Sequence, residues 1–176
     1  MPRPDKFSRF EQAILPHLDA AYNLARWLMR NEDEAADAVQ DACLRALRFI
    51  GGFRGGDGRV WLLAIVRNTC YSRLKGGKTR DMETEFDDEI HSPDTATTNP
   101  EALLERSRDG EALRRALEEL PEEFREIIVM RELEGMAYKE IPDVAGVPIG
   151  TVMSRLARAR KRLQQRLTAA PPPKES

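Results

Sequence analysis

Cysteine, aromatic residues and long apolar runs are all scarce in this sequence. Its two cysteines, Cys43 and Cys70, have neither CxxC spacing nor histidine-rich neighbours, which argues against a zinc site and a disulfide framework. Residues 1–6 lack the apolar core of a signal peptide, and no apolar run approaches the roughly 20 residues that cross a bilayer. The sequence therefore predicts a cytoplasmic protein, with Cys43 on an apolar helical stripe as a buried thiol.

Strand patterns and catalytic constellations are also missing. β-branched residues are scattered, whereas apolar residues recur at steps of three and four, the period of an amphipathic helix. His17 and His91 are isolated, and neither a Ser/His/Asp set nor a glycine-rich phosphate constellation is present. We therefore predict an all-α protein that is not an enzyme and that requires no cofactor and no metal.

Charge of one sign is missing from two segments. Residues 81–101 carry eight acidic side chains and no Lys or Arg, whereas residues 151–166 carry six Lys or Arg and no acid. The net charge of −2 conceals this separation. Such asymmetry is more informative than the sum, because a basic segment can bind nucleic acid in a chain that is acidic overall.

The first predicted domain covers residues 1–77 and contains three helical patterns. Five glycines between residues 51 and 58 interrupt them, because glycine loses much backbone entropy in a helix. The third pattern, over residues 60–74, is predicted to stop at Gly76 and Gly77. The first pattern is defined by Ile14, Leu18, Ala21, Ala25 and Leu28.

The rest of the chain divides into a linker, a second domain and a tail. Residues 78–104 are rich in Asp, Glu, Thr and Ser, which predicts a flexible acidic linker. Helical periodicity defines the second domain, residues 105–168, in which Pro121 begins a helix that runs to about residue 133. Residues 169–176 contain three consecutive prolines and are predicted to form a disordered tail.

The strongest local pattern covers residues 138–167. A short helix with Tyr138, Ile141 and Val144 is followed by a Gly-Val-Pro turn and a longer helix from about Gly150, which predicts a helix-turn-helix. One side of the longer helix packs on its domain, and the other is free to enter a major groove. The packing stripe comprises Val152, Leu156, Ala159, Leu163 and Leu167, and the polar face comprises Thr151, Arg155, Arg158 and Arg162, with Ser154 beside them. A solvated basic surface helix is the alternative, and it is disfavoured because no acid provides i,i+4 pairs.

These motifs resemble region four of extracytoplasmic-function sigma factors. The resemblance rests on LPEEFRE at residues 120–126, RELEG at 131–135 and GTVMSRLARAR at 150–160. It implies that the longer helix binds the minus-thirty-five promoter element, with Ser154, Arg155 and Arg158 nearest the bases. It also implies phosphate contacts from Tyr138, Lys139, Thr151 and Arg160. Arg162 extends the basic face and is a further candidate for binding the minus-thirty-five element.

Three positions depart from the family pattern. Pro142 stands where the family has a small helix former, Ala137 replaces a serine-like cap, and Ala145 replaces a larger apolar residue. A proline inside a helix costs about 3 kcal/mol or kinks the axis. The sequence therefore predicts a scaffold helix that starts late or bends.

A helix predicted from about Asp33 to Phe49 has two contrasting sides. Ala36, Val39, Cys43, Ala46 and Leu47 form the predicted packing side, and Asp33, Asp37, Gln40, Asp41, Leu44 and Arg48 form the other. A leucine within a charged rim indicates a protein interface, although a single exposed leucine is common. The sequence at residues 34–46, EAADAVQDACLRA, resembles region two of the same family. The resemblance implies that Asp37, Gln40, Asp41 and Leu44 bind the clamp helices of the polymerase largest subunit.

The next segment resembles the part of the family that binds the minus-ten element. Phe53-Arg54-Gly55 and residues 61–68 provide the matching motifs. Binding of unstacked bases requires aromatic faces, hydrogen-bonding groups and positive charge. The candidates are Phe53, Arg54, Arg59, Trp61, Asn68, Tyr71 and Arg73. Core packing is the favoured interpretation of Trp61, whereas Asn68 is an amide on a mostly apolar helix and is more consistent with binding.

The resemblance implies a sigma factor whose first domain binds polymerase and melted minus-ten DNA and whose second domain binds the minus-thirty-five duplex. Core polymerase, through the clamp and the flap of its second subunit, promoter DNA and an anti-sigma factor are the expected partners. Two alternatives remain open at this point. A stand-alone operator-binding regulator would bind duplex DNA tightly without polymerase, and a small hydrolase or nuclease would turn over a substrate unaided.

Overall fold

The computed structural model describes residues 5–80 and 108–169. Both ranges are helical and contain no strand, as predicted. Eight α-helices occur in them: α1 (Lys6–Ala13), α2 (Leu18–Met29), α3 (Glu32–Phe49), α4 (Gly58–Arg80), α5 (Arg108–Glu118), α6 (Glu122–Ile128), α7 (Ile141–Ala145) and α8 (Ile149–Ala169). The predicted linker beyond residue 80 and the predicted tail beyond residue 169 lie outside the described residues.

The first predicted helical pattern is divided between α1 and α2. A 3-10 turn at Leu15–His17 separates the two helices, with Pro16 in its first positions. Proline has no N–H to donate, and its ring collides with the preceding helical turn. The continuous apolar spacing from Ile14 to Leu28 therefore does not form one helix, although both of these residues are buried.

The helix α3 buries a stripe that is displaced by one residue from the predicted packing side. Ala35, Ala38, Ala42 and Ala46 are fully buried, and they let α3 lie close to α2 and α4. Of the predicted packing residues only Ala46 is buried, whereas Ala36 is exposed and Val39, Cys43 and Leu47 are half-buried. The prediction failed because α3 is alanine-rich, so that close approach of the backbones, and not side-chain size, determines which face packs.

The two cysteines occupy different environments. Cys43 is half-buried, so the predicted burial of this thiol is wrong, although partial desolvation still raises its pKa. Cys70 is fully buried, and this burial raises the pKa of its thiol to about 12. Both thiols are free, and Cys70 is protonated at neutral pH.

The helix α4 has an unusual glycine at each end. It begins at Gly58, where a Cβ atom would lie 2.1 Å from the Ala13 carbonyl oxygen, so only glycine permits this contact between α4 and α1. It then continues through Gly76 and Gly77 to Arg80, so the predicted stop is wrong. Each glycine inside a helix makes helix formation less favourable by about 1 kcal/mol relative to alanine. The helix α4 is already nucleated by its earlier turns, so it continues through both glycines.

The second domain packs around α6 and α8. The helix α6 follows Pro121 and continues as a π-helical segment, Val129–Leu133, so the predicted helix is present but changes its hydrogen-bonding pattern near its end. Ile127, Met130 and Leu156 are among its fully buried side chains.

The two domains contact each other directly. The helix α2 packs against α6 and the π-helical segment, and α4 packs against α7, so the buried residues of both halves form one continuous cluster. Across residues 5–80 and 108–169, none of the helices has the length and hydropathy required to span a membrane.

The alanine stripe gives a prediction for stability. Ala38→Leu adds three carbon atoms at a site without exposed surface and should lower the free energy of unfolding by about 1–3 kcal/mol. Ala36→Leu, on the exposed side of the same helix, should change it by no more than about 0.5 kcal/mol. Urea unfolding followed by circular dichroism measures both free energies. Equal effects of the two substitutions would contradict the burial of Ala38 and the exposure of Ala36.

Candidate nucleic-acid interface

A helix-turn-helix is formed by α7 and α8. Gly146 adopts a left-handed conformation at the end of α7, with φ of 72°, and its N–H donates to the Pro142 carbonyl oxygen at 2.8 Å. Pro142 lies in the first turn of α7, where a missing N–H costs nothing because helix N–H groups there are unpaired anyway. The predicted late start is confirmed, but Tyr138 lies in the preceding turn and not within the helix.

The longer helix, α8, has the two-sided character that its sequence predicts. Val152, Leu156 and Ala159 are buried, and Leu163 is half-buried against the same core. Leu167 is 40% exposed, so the predicted stripe does not continue to that residue. The N-terminal half of α8 is therefore held firmly on the domain and its other side remains accessible.

Five of the predicted minus-thirty-five residues share that other side of α8. Ser154, Arg158 and Arg162 are exposed, and Thr151 and Arg155 are half-buried beside them. The Arg162 guanidinium lies 5.0 Å from the centre of the Phe124 ring. Within the described part of the chain Arg158 forms no ion pair, so its planar donor group is available to a base or phosphate.

Tyr138 and Arg160 form a separate group. Arg160 is nine residues from Thr151, about two and a half helical turns, which places it on the opposite side of α8. Its Nη2 contacts Glu132 Oε2 at 2.5 Å, and its hydrogen bond with the Tyr138 hydroxyl lowers the pKa of that phenol. Arg131 covers the Tyr138 ring at 4.0 Å, while Lys139 is exposed in the turn.

Three of the four predicted polymerase-binding residues form an open surface on α3. Asp37, Gln40 and Leu44 are exposed, and the Leu44 side chain is 62% accessible. Asp41 shares their side of the helix, but its carboxylate contacts Arg73 Nη2 at 3.6 Å. Thus Asp41 and Arg73, predicted to bind different partners, pair with each other here.

The predicted minus-ten residues are distributed over four environments, one of which is the pairing of Arg73 with Asp41. The Phe53 and Trp61 rings pack together with centroids 5.1 Å apart and contact the core, in line with the packing interpretation of Trp61. Arg54 and Asn68 are exposed to solvent.

Arg59 and Tyr71 lie where the first domain meets the second. Arg59 Nη1 donates to the Glu134 carbonyl oxygen at 3.2 Å, and its Nη2 lies 3.6 Å from Glu140 Oε1. The guanidinium of Arg67 covers the Tyr71 ring at 4.0 Å. Burial and the nearby Glu126 carboxylate raise the pKa of the Tyr71 hydroxyl.

Glu126 is a buried charged residue beside the predicted sites that the sequence did not reveal. Its side chain is fully buried, and both of its carboxylate oxygens accept hydrogen bonds from Arg67, at 2.9 Å from Nε and 3.1 Å from Nη2. Burial raises the pKa of Glu126, and Arg67, followed by Tyr71 and then Arg155, opposes that rise. Glu126 follows two other glutamates, Glu122 and Glu123, which are half-buried and exposed, and its partner is distant in sequence, so no local pattern distinguishes it.

Comparison with known families matches both halves of the chain. The family described as "Sigma-70 region 2" matches residues 13–80, and "Sigma-70, region 4" matches residues 110–163. The ECF RNA polymerase sigma factor SigE of Mycolicibacterium smegmatis is 33% identical over 158 residues, which are 90% of this chain and 61% of SigE. The RNA polymerase sigma-H factor of Pseudomonas aeruginosa is 30% identical over 90% of this chain and 86% of its own length.

Solved structures agree with these matches. The sigma factor RpoE from Bartonella quintana, in complex with the anti-sigma factor NepR, has a TM-score of 0.75 and 29% identity, covering 92% of this chain and 98% of RpoE. CnrH in complex with the cytosolic domain of CnrY has a TM-score of 0.59 and 25% identity, covering 92% of this chain and 89% of CnrH. The chain therefore belongs to the extracytoplasmic-function (ECF) family of RNA polymerase sigma factors.

Proposed function

We propose that this protein is a non-enzymatic sigma subunit that acts in the cytoplasm, binds core RNA polymerase and directs it to promoters with minus-thirty-five and minus-ten elements. One observation supports this proposal above the others. A recognition helix with a buried inner side and an accessible basic outer side occurs in the same chain as an exposed acidic surface with a central leucine, on α3. A stand-alone duplex-binding protein does not require the exposed acidic surface on α3.

The outer side of α8 binds the minus-thirty-five duplex in this proposal. Ser154, Arg155 and Arg158 lie at the N-terminal part of the helix, the part that contacts base edges in helix-turn-helix proteins. Arginine can donate two parallel hydrogen bonds to guanine, which gives Arg158 the capacity to discriminate bases. The phosphates beside the bases that Arg158 contacts are bound by Thr151, Arg162 and Lys139. Phosphates on the other side of α8 are bound by Tyr138 and Arg160.

The acidic surface of α3 binds the clamp helices of the polymerase largest subunit. Asp37 and Gln40 supply oxygen atoms for basic groups on the polymerase, and Leu44 buries apolar surface at the centre of the contact. Asp41 joins this contact once it exchanges Arg73 for a polymerase cation. The second domain binds the flap of the second polymerase subunit.

The region from Phe53 to Arg73 captures the minus-ten element after its bases leave the stack. Asn68 and Arg54 are exposed and can bind base edges and phosphates directly. The paired Phe53 and Trp61 rings support this surface from the core side. Arg59, Tyr71 and Arg73 complete it when their present intramolecular contacts are released.

An anti-sigma factor is a further proposed partner. The solved structure of RpoE contains the anti-sigma factor NepR, and RpoE covers nearly the full length of this chain. A protein of this class would inhibit the chain by covering its polymerase-binding surfaces. Purification of the tagged chain from uninduced cells should recover such a partner, and its absence would count against this part of the proposal.

Run-off transcription tests the proposal as a whole. Core polymerase with the purified chain should produce discrete transcripts from a genomic DNA library, whereas core polymerase alone should not. The transcripts would also identify the promoter. Tight sequence-specific duplex binding without any polymerase-dependent transcript would instead favour a stand-alone regulator.

Charge reversal on α3 should weaken polymerase binding. Asp37→Arg places a cation where the proposal requires an anion, and we expect about tenfold weaker binding to core polymerase at low salt. Glu11→Arg makes the same charge change on an exposed position of α1 and should have little effect. Competition with a labelled wild-type chain measures the affinity of both variants for core polymerase. An equal loss of affinity in the two variants would show that Asp37 does not belong to the binding surface.

Removal of Arg158 should weaken promoter discrimination. Arg158→Ala is expected to reduce the preference of the holoenzyme for an intact minus-thirty-five element by about 1–3 kcal/mol, because a bidentate base contact is lost. Gln164→Ala changes an exposed position of α8 outside the polar face and serves as the control. Promoter binding is compared for intact and mutated elements, and an unchanged preference in Arg158→Ala would exclude a base contact.

A further inference from the structure

The helix α1 contacts both ends of the segment that joins α3 to α4. Near the start of this segment, Arg9 Nη2 donates to the Phe53 carbonyl oxygen at 2.6 Å. At its end, a Cβ atom on Gly58 would overlap the Ala13 carbonyl oxygen, so the backbones of α1 and α4 lie in direct contact there. We define the α3–α4 loop as residues 54–57, which lie between these two contacts.

We propose that Arg9 is a positioning residue for minus-ten recognition, which holds Phe53 and the α3–α4 loop in the conformation that presents Arg54 to DNA. Arg9 itself does not contact DNA in this inference. The inference rests on the proposed function, in which Phe53 and Arg54 belong to the minus-ten surface, and it adds a residue of α1 to the determinants of that surface.

The Phe53 carbonyl oxygen depends on Arg9 for its hydrogen bond. Phe53 has an extended backbone, with φ of −77° and ψ of 118°, directly after a 3-10 turn at Ile50–Gly52. Its N–H donates to the Ile50 carbonyl oxygen at 3.0 Å, but among the described residues no backbone N–H donates to its own carbonyl oxygen. A hydrogen bond from a charged guanidinium is stronger than one between neutral groups. Arg9 therefore fixes the direction in which the chain leaves Phe53.

The helix α1 is held firmly enough to act as a support for the loop. Ile14, which follows its last residue, is fully buried, and Phe10 and Ala13 pack against the same core. The Asp5 side chain caps its first turn. Arg9 therefore extends from a helix whose position is set by the core of the first domain.

The α3–α4 loop needs contacts at its ends because its middle is intrinsically flexible. Gly55 and Gly56 adopt φ of 89° and 86°, a region that glycine enters without steric cost, and glycine has the widest conformational freedom of all residues. The end of the loop is fixed because Asp57 Oδ1 accepts from the Arg59 N–H at 2.9 Å, at the start of α4. Arg9 supplies the corresponding constraint at the other end, next to Arg54.

Three substitutions in the full-length chain test the proposal. Arg9→Met removes the donor and keeps a long side chain, whereas Arg9→Lys keeps a cation that can donate to the Phe53 carbonyl oxygen. Lys6→Met removes a cation from an exposed position of the same helix and is the control for the change in charge. Each chain is assembled with core polymerase, and its affinity is measured for a promoter with an intact minus-ten element and for one with a mutated element.

The loss of affinity should be confined to the intact minus-ten element. Arg9→Met should bind the intact promoter about tenfold more weakly than the wild-type chain, because a hydrogen bond from a charged group is lost. It should bind the mutated promoter equally well and keep its preference for an intact minus-thirty-five element. Arg9→Lys should recover part of the affinity, and Lys6→Met should resemble the wild-type chain.

Two outcomes of this comparison would overturn the proposal. An unchanged preference of Arg9→Met for the intact minus-ten element would show that the loop does not depend on Arg9. An equal loss on the intact and mutated promoters would indicate a direct contact between Arg9 and a phosphate, because such a contact weakens binding to all sequences alike.

Nuclear magnetic resonance provides a second test that requires neither polymerase nor DNA. Arg9→Met should lower the order parameters of the Gly55 and Gly56 amides and leave those of α8 unchanged. Wild-type order parameters in the loop would overturn the proposal. Lower values throughout the chain would also overturn it, because Arg9 would then be required for the fold and not specifically for the loop.

Run-off transcription by the wild-type chain separates this inference from the proposed function. A chain that supports transcription, and whose Arg9→Met variant keeps its minus-ten preference, refutes this inference alone. A chain that yields no polymerase-dependent transcript refutes the proposed function, while the order parameters still test whether Arg9 holds the loop.

Discussion

The arrangement of the whole molecule depends on one buried carboxylate. Glu126 has no exposed surface, and an isolated ionised carboxylate in such a site would be strongly unfavourable without a cation that donates to both of its oxygens. That cation, Arg67, comes from the other domain. The pair therefore links α6 to α4, beside the contacts that Arg59 and Asn23 make with the second domain. Its energetic value lies in specifying this arrangement, since removal of either partner alone would leave a buried charge.

Packing also determines which helix surfaces remain accessible for the proposed partners of a sigma factor. Small alanines bring α3 against its neighbours and leave Asp37, Gln40 and Leu44 exposed together. A buried apolar stripe holds α8 in place and leaves its basic side accessible. Each proposed binding surface is thus the side of a helix that does not pack against the core. In the structure, Arg59 and Arg67 of the first domain contact acidic side chains of the second.

Much of this organisation can be predicted from the sequence, because local spacing determines it. The recognition helix α8 was predicted from its apolar and basic periodicities, and the turn before it from glycine and proline at residues 146–148. The packing side of α3 was predicted one residue out of phase, because alanines occur on both sides of that helix. Pro16 divides a stretch whose apolar spacing is continuous, and α4 tolerates Gly76 and Gly77 where a stop was expected. The contacts of Arg59, Arg67 and Glu126 depend on the packing of distant helices, which no local pattern encodes.

The distance between the two domains, with and without the Arg67–Glu126 pair, tests the central claim most directly. Spin labels on exposed positions of α1 and α8, in a chain whose Cys43 and Cys70 are replaced by serine, would report this distance by electron paramagnetic resonance. The account predicts a single short distance when the pair is intact and a broader, longer distribution in Arg67→Met, which leaves the buried Glu126 carboxylate without its cation. An unchanged distance in Arg67→Met would contradict it, because the domains would then be oriented without the pair.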